Sequence, residues 1–386
     1  MRLNPTIVRG IDSPMGAAQA LLALRDDDRP VLNLSQAAPV YPPAPAVVER
    51  VVEVARDPDG GTYAPVPGVP ALRQAFAEEL TRDYAGSVDA SDVVVTAGCN
   101  QAFSLVATAL AGPGDEMITP LPSYFNHDMW LRMHGVAPKY LEPGPDLVPR
   151  AADAEALIGP RTRAIVLITP GNPSGVTIPP AEIEAFAHLA RRHDLPLILD
   201  ETYRSFRDDI TTPAHRLFAD PDWRRTVISL HSFSKELAIP GYRVGAVVGT
   251  PELTREVLKL MDCVAICAPR IGQEAAWAGL TRAGEWRAER VAEIAQRRAW
   301  LGDALASRPG GFEVVTLGGF FAWVRHPFTD RTCDDVVREL LFTHDTLVLP
   351  GTAFLPEDRR MLRISVGRVD ADAAALLAER LTAFGR

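Results

Sequence analysis

The sequence predicts an α/β chain built on a largely parallel sheet, followed by a smaller α+β unit. From residue 93 onward short apolar runs (VVVTAG, EMITP, AIVLITP, LPLILDE, TVISLHS, GAVVG) alternate with amphipathic stretches, which is the signature of strand–helix–strand crossovers. Residues 284–308 are rich in Ala, Arg and Glu and keep apolar positions at Val291, Ile294, Trp300 and Leu301, so they predict one long helix. Beyond Pro309-Gly310-Gly311 the order changes to FEVVTLGGFFAWV, a helix over residues 334–341, LVLP, MLRISV and a last helix over 371–384. That is an α+β pattern.

Taken in order, the elements support this division. Residues 17–24 form a short helical piece, and the Pro-rich SQAAPVYPPAP after it is excluded from any central strand. Residues 93–114 carry no charge, yet Gly98-Cys99-Asn100-Gln101 interrupts them; a buried strand, a turn and a helix fit better than a membrane span. Pro179-Pro180 open a crossover helix with Ile183, Phe186 and Leu189 on one face. The expected organisation is an arm and part of the smaller domain in residues 1–45, a large domain over 46–284, and a linking helix with the C-terminal small domain over 285–386.

Composition narrows the function. The 386 residues hold 40 Lys+Arg against 49 Asp+Glu, a net charge of −9, with no basic run, so neither nucleic acid nor an anionic membrane is an expected partner. Asn4, Pro5 and Asp12 deny the N-terminus the apolar core of a signal peptide, and a cytoplasmic location is expected. Cys99, Cys263, Cys267 and Cys333 make no CxxC pair and His188 and His193 are not at metal-ligand spacing; no metal site is signalled.

The densest chemistry lies in SFSKELAIPGYRVG, Ser232 to Gly245. Lys235 follows an apolar strand and is flanked by hydroxyls, with Arg243 further on: a candidate Schiff-base amine beside an anion site. Asp200, in DETY, ends the apolar strand LPLILD, where open α/β sheets bind ligands. Asn172 lies in the turn TPGNPSG. The turn Gly98-Cys99-Asn100 opens a helix whose N–H groups favour an anion. Arg363 stands in the apolar strand MLRISV, where a guanidinium needs an anionic partner.

In this order these motifs resemble those of the class I/II aminotransferases, the aspartate-aminotransferase-like branch of the fold type I pyridoxal-phosphate enzymes, over nearly the whole chain. The resemblance implies a mainly parallel seven-stranded sheet, pyridoxal 5′-phosphate as cofactor, and a homodimer acting on an amino acid and a 2-oxo acid by a ping-pong route. It makes Lys235 the Schiff-base lysine, Asp200 the partner of the pyridine nitrogen, and Tyr203 and Asn172 donors to the cofactor's phenolic oxygen. Gly98, Cys99, Asn100, Ser232, Ser234 and Arg243 would hold the phosphate. Tyr124, in PSYFNH, would stack on the ring, and His127 would tune Asp200. Tyr63, in Y-x-x-x-x-G-x-x-x-L-R, would reach the neighbouring subunit's phosphate. Arg363 would bind the substrate α-carboxylate, with Ala37 and Asn172 beside it.

Two departures qualify the likeness. Gln36-Ala37-Ala38-Pro39 stands where the family often has glycine, and the stretch from Met261 to Pro269 lacks the arginine by which dicarboxylate-specific members bind a second carboxylate. A neutral or basic donor is the alternative. Lys235, Asp200 and Arg363 would equally serve a β-lyase, decarboxylase or oxidase on the same scaffold.

Overall fold

A computed structural model describes residues 1–8 and 10–385. Its strands in chain order are β1 (Leu32–Asn33), β2 (Val93–Thr96), β3 (Glu116–Pro120), β4 (Ala137–Leu141), β5 (Thr162–Ile168), β6 (Leu197–Asp200), β7 (Val227–Ser232), β8 (Gly245–Val248), β9 (Glu313–Gly318), β10 (Phe321–Arg325), β11 (Thr346–Leu347), β12 (Leu349–Pro350) and β13 (Met361–Ser365). Seven of them form one sheet in the order β2-β8-β7-β6-β5-β3-β4. All are parallel except β8, which runs against both β2 and β7. The α/β class and the mainly parallel seven-stranded sheet are therefore as the sequence predicts.

The sheet is apolar on both faces. Val93, Val95, Ile165, Leu167, Leu197 and Leu199 enter one core, while Val94, Ala164, Val166 and Ile198 enter the other. This period-two alternation inside fully apolar runs is what burial under helices on both sides requires. The helix Pro180–Arg192 shows how a crossover is held: Ile183, Phe186 and Leu189 are buried and Arg191 and Arg192 close its last turn, favourably placed against the helix dipole.

A second sheet, in the order β12-β13-β10-β9, is antiparallel throughout. It packs with the helices Cys333–His344 and Ala371–Phe384 around its own core, to which Ala18 and Leu34 of the N-terminal segment contribute. β1 pairs with β11, tying that segment to the C-terminal part. The long helix Gly284–Leu305 joins the two sheets: Arg287 pairs with Glu79 and Glu236 on one side, while Arg297 and Arg298 donate to the carbonyls of Gly367 and Gly319 on the other. No helix among the described residues is long and apolar enough to cross a membrane.

Candidate active site

The carboxyl ends of β2, β3, β5, β6 and β7 line one edge of the large sheet. Because β8 is reversed, its amino end lies there too, with Gly245 paired to both Thr96 and Ser232. The reversal places Arg243 among loops that would otherwise face it only across the sheet. A cleft enclosing about 920 Å³, part of it open to solvent, lies at this edge. It is lined by Ala37, Cys99, Asn100, Tyr124, Asn172, Asp200, Tyr203, Ser232, Ser234, Lys235, Arg243 and Arg363. Gly98 precedes Cys99 as the helix N-cap, and His127 lies 3.3 Å from Asp200. Tyr63 does not line the cleft; it is 74% exposed.

Asp200 closes β6 and is buried. Burial opposes its charge, but His127 Nε2 lies 3.3 Å from Oδ2 and the Thr202 N–H donates to Oδ1 at 3.0 Å, and together they hold the carboxyl below its usual range. His127 is itself fixed, stacked on Phe103 with centroids 3.7 Å apart and edge-on to Tyr124 at 5.1 Å. Burial raises the Tyr203 phenol well above its ordinary value and pushes Tyr124 up to about 12; both remain O–H donors at neutral pH.

An anion cradle stands at the N-terminus of the helix Cys99–Leu110. Gly98 caps it with φ 86°, and a Cβ on Gly98 would come within 2.4 Å of Arg243 Nη2, so glycine is required for the guanidinium to reach the helix end. Arg243 Nη1 donates to the Pro240 carbonyl at 2.8 Å and has no carboxylate partner among the described residues. Ser232 and Ser234 complete the cradle. Lys235 is beside it, its amine pushed down to about 8 by burial and then by the charges of Arg243 and Arg363.

Arg363 is 2% exposed. Its Nη1 donates to Asn172 Oδ1 at 2.9 Å and its Nη2 to the Ser35 carbonyl, with the Phe321 and Phe354 rings 4.9 and 5.1 Å away. Nε has no partner. Burial lowers its pKa to about 10, so it stays charged at neutral pH and faces the cleft as a buried cation awaiting an anion.

The residues fit pyridoxal phosphate: an anion cradle for the phosphate, a buried carboxylate for a pyridinium N–H, an aromatic face at Tyr124 and an unprotonated-ready amine at Lys235. The family model for aminotransferase class I and II matches residues 29–381. The chain belongs to the class I and II aminotransferases. An arginine–pyruvate transaminase of Pseudomonas aeruginosa is 34% identical over 352 residues, spanning 89% of this chain and 88% of that one. An aromatic aminotransferase of Arabidopsis thaliana is 31% identical over 357 residues, spanning 89% and 88%. A Thermus thermophilus aspartate aminotransferase mutant superposes with a TM-score of 0.90 at 26% identity, covering 99% of this chain and 100% of that one. This aminotransferase is thus a pyridoxal-phosphate-dependent transaminase acting on an amino acid and a 2-oxo acid.

Several residues of its cleft escaped the sequence. Met15 arrives from the helix Pro14–Ala23, and Gln36, Phe125, Asn126, Ile168 and Thr202 also line the cavity. Asn126 Nδ2 donates to the Tyr124 hydroxyl at 2.9 Å. Thr202 and Asn126 sit inside the recognised DETY and PSYFNH segments, whereas nothing near Met15 signals its place. A buried ion network also lies behind the cleft: Glu236, next to Lys235, and Arg204, next to Tyr203, meet Arg287 and Glu79.

Proposed function

We propose that this aminotransferase runs a ping-pong transfer of the α-amino group of an L-amino acid to a 2-oxo acid, with Lys235 as the point of covalent attachment of pyridoxal 5′-phosphate. The observation that supports it most is the depressed Lys235 amine between two guanidinium groups without carboxylate partners, Arg243 and Arg363.

When bound, pyridoxal phosphate supplies an electron-accepting ring for the pair released at the substrate's Cα. Asp200 would keep a proton on the ring nitrogen, its carboxylate held charged and oriented by His127 and Thr202. Asn172 Oδ1 already accepts from Arg363, which leaves its Nδ2 to donate, with the Tyr203 O–H, to the phenolic oxygen. The Gly98-Cys99-Asn100 turn, Ser232, Ser234 and Arg243 grip the phosphate, and Tyr124 offers its face to the ring. Arg363 takes the α-carboxylate through its remaining N–H donors, with the Ala37 backbone beside it. Lys235 Nζ, its amine pushed down to about 8 by burial, would serve, once a substrate amine has displaced it from its own linkage, as the base for the Cα proton and as the donor that returns it at the cofactor's C4′ carbon.

Among the described residues of one chain, the charged side chains lining the cleft are Asp200, Lys235, Arg243 and Arg363, each with a role above. Asp262 and Cys263 end the helix Pro251–Ala265 outside the lining. The donor we infer is a neutral or basic monocarboxylic amino acid. The exposure of Tyr63 and of Val264, Ile266 and Ile271, in segments tied together by Arg270 donating to Thr62 Oγ1 at 2.6 Å, supports a homodimer in which Tyr63 completes the partner's phosphate site. In this reading residues 46–284 are the cofactor-binding domain, residues 1–45 and 285–386 carry the arm and the small domain with Arg363, and the enzyme works in the cytoplasm. Replacing Lys235→Ala abolishes covalent cofactor attachment and turnover; turnover near that of the wild type refutes the assignment.

A further inference from the structure

We propose that His326, Cys333 and Asp358 form a divalent metal site of the zinc class in the smaller domain, separate from the cleft. The three residues come from different elements: His326 follows β10, Cys333 opens the helix Cys333–His344, and Asp358 lies in the turn before β13. One donor atom from each falls within 4.8 Å of the others. Cys333 Sγ lies 2.8 Å from Asp358 Oδ1 and 3.6 Å from His326 Nε2. A tetrahedral zinc with Zn–S of about 2.3 Å and Zn–N of about 2.0 Å sets its sulfur and nitrogen about 3.5 Å apart, which the sulfur–nitrogen edge already matches, while the shorter sulfur–oxygen edge is an S–H···O hydrogen bond that would open on loss of the thiol proton.

A second observation points the same way. His326 and Cys333 are both 0% exposed. The imidazole nevertheless has no nitrogen or oxygen partner: Nδ1 is unpaired, and Nε2 is aimed at the thiol sulfur alone. A buried ring held only by a thiol contact is poorly satisfied, and a cation on Nε2 would replace that weak contact with a ligand bond while leaving Nδ1 as it is. The carboxylate is held in place by the N–H groups of Cys333 at 2.7 Å and Arg360 at 2.8 Å, the kind of outer support that orients a ligand. Asp358 is exposed, so solvent gives the ion its way in and a water its fourth position.

On binding, the Cys333 S–H bond breaks, its proton leaves to solvent and a sulfur–metal bond forms, with no change of oxidation state. The ion would pin the turn that leads into β13, the strand that carries Arg363.

The test titrates chelator-treated holoenzyme with Zn²⁺ by calorimetry in two buffers of different ionisation enthalpy, using wild type, Cys333→Ser and Asp358→Asn. The expected result is one zinc per protomer with release of about one proton, affinity at least about 100-fold weaker in Cys333→Ser, and a zinc-dependent rise in melting temperature in the wild type alone. If Cys333→Ser does not fold, Asp358→Asn, altered at an exposed carboxylate, carries the same expectation. No zinc binding to the wild type, or equal binding to wild type and variants, overturns the proposal.

Discussion

Arg363 Nη1 donates to Asn172 Oδ1 at 2.9 Å, fastening β13 of the small sheet to the loop that follows β5 of the large one. Both side chains are buried, and the bond fixes two things at once. It aims the guanidinium at the cleft, and it leaves only the amide nitrogen of Asn172 free to donate. Substrate carboxylate and cofactor oxygen are thus addressed from one rigid pair.

Arg363→Met removes a buried cation that has no carboxylate partner. We expect KM for every amino acid to rise about 100-fold, the loss of a buried charge-assisted pair costing roughly 2–5 kcal/mol. The apo-protein itself is expected to stay within about 2 kcal/mol of wild type, since burying an unpaired charge is unfavourable to begin with. Steady-state kinetics and denaturant melts together check both halves.

Lys235 titrates near pH 8 in the folded chain, against an ordinary value of 10.5. Between these values the unfolded chain binds more protons, so apo-protein stability rises as pH increases through this window. Below pH 8 both states hold the proton and the penalty of the buried charge is fully present. Lys235→Met should lack this rise when urea midpoints are compared from pH 7 to 10.5, and cofactor uptake by the wild-type apo-protein should accelerate with an apparent pKa near 8.

Gly98→Ala sets a Cβ against Arg243 Nη2 at a residue whose φ is 86°. Backbone strain of about 1–3 kcal/mol is expected, and displacement of the guanidinium should weaken cofactor binding at least about tenfold. Equilibrium dialysis of the cofactor measures the second effect independently of the first.

Arg287→Met leaves Glu79 and Glu236 buried with Arg204 as their shared cation. Removing one partner of such a network costs about 3–5 kcal/mol, and Glu236→Gln in the same background should recover part of it. Burial disfavours the Glu236 charge, but Arg287 and Arg204 outweigh it and hold the carboxyl below its ordinary range. The network's contribution is therefore present above the ordinary glutamate pKa and lost as pH falls below it; thermal melts of wild type and variants from pH 3 to 7 follow this.

Tyr63 and Lys235 are expected to serve the same site from opposite subunits. Mixing inactive Lys235→Ala with a Tyr63→Ala variant of weakened cofactor binding should restore activity through hybrid dimers bearing one intact site. Activity equal to the sum of the separate variants, under conditions where subunits exchange, counts against a shared site.

Much of this molecule was legible because burial writes itself into apolar runs. Six strands of the large sheet, the crossover helix and the long helix are continuous apolar or periodic segments. β4 is not: it reads APKYL, lies at the sheet edge and is mostly half-buried, so Pro138 and Lys139 cost it little and hide it from the pattern. The cleft was legible where a chemical residue ends a strand, as Asp200 does, or follows one closely, as Lys235 does. It was not legible where tertiary contact alone brings a residue in, as with Met15, or pairs distant charges, as with Glu79 and Arg287 across 208 positions. His326, Cys333 and Asp358 meet for the same reason, from three elements that no spacing rule connects.

A single half-reaction decides whether the amino group is transferred. The purified holoenzyme is mixed with one L-amino acid at a time, without acceptor, and the product is identified. A neutral or basic amino acid should yield one equivalent of its 2-oxo acid per protomer, with the amino group retained on the enzyme, and Lys235→Ala should yield none. Release of ammonia, a decarboxylated amine or a hydroxylated acid in place of the 2-oxo acid, or a full equivalent from Lys235→Ala, would contradict it.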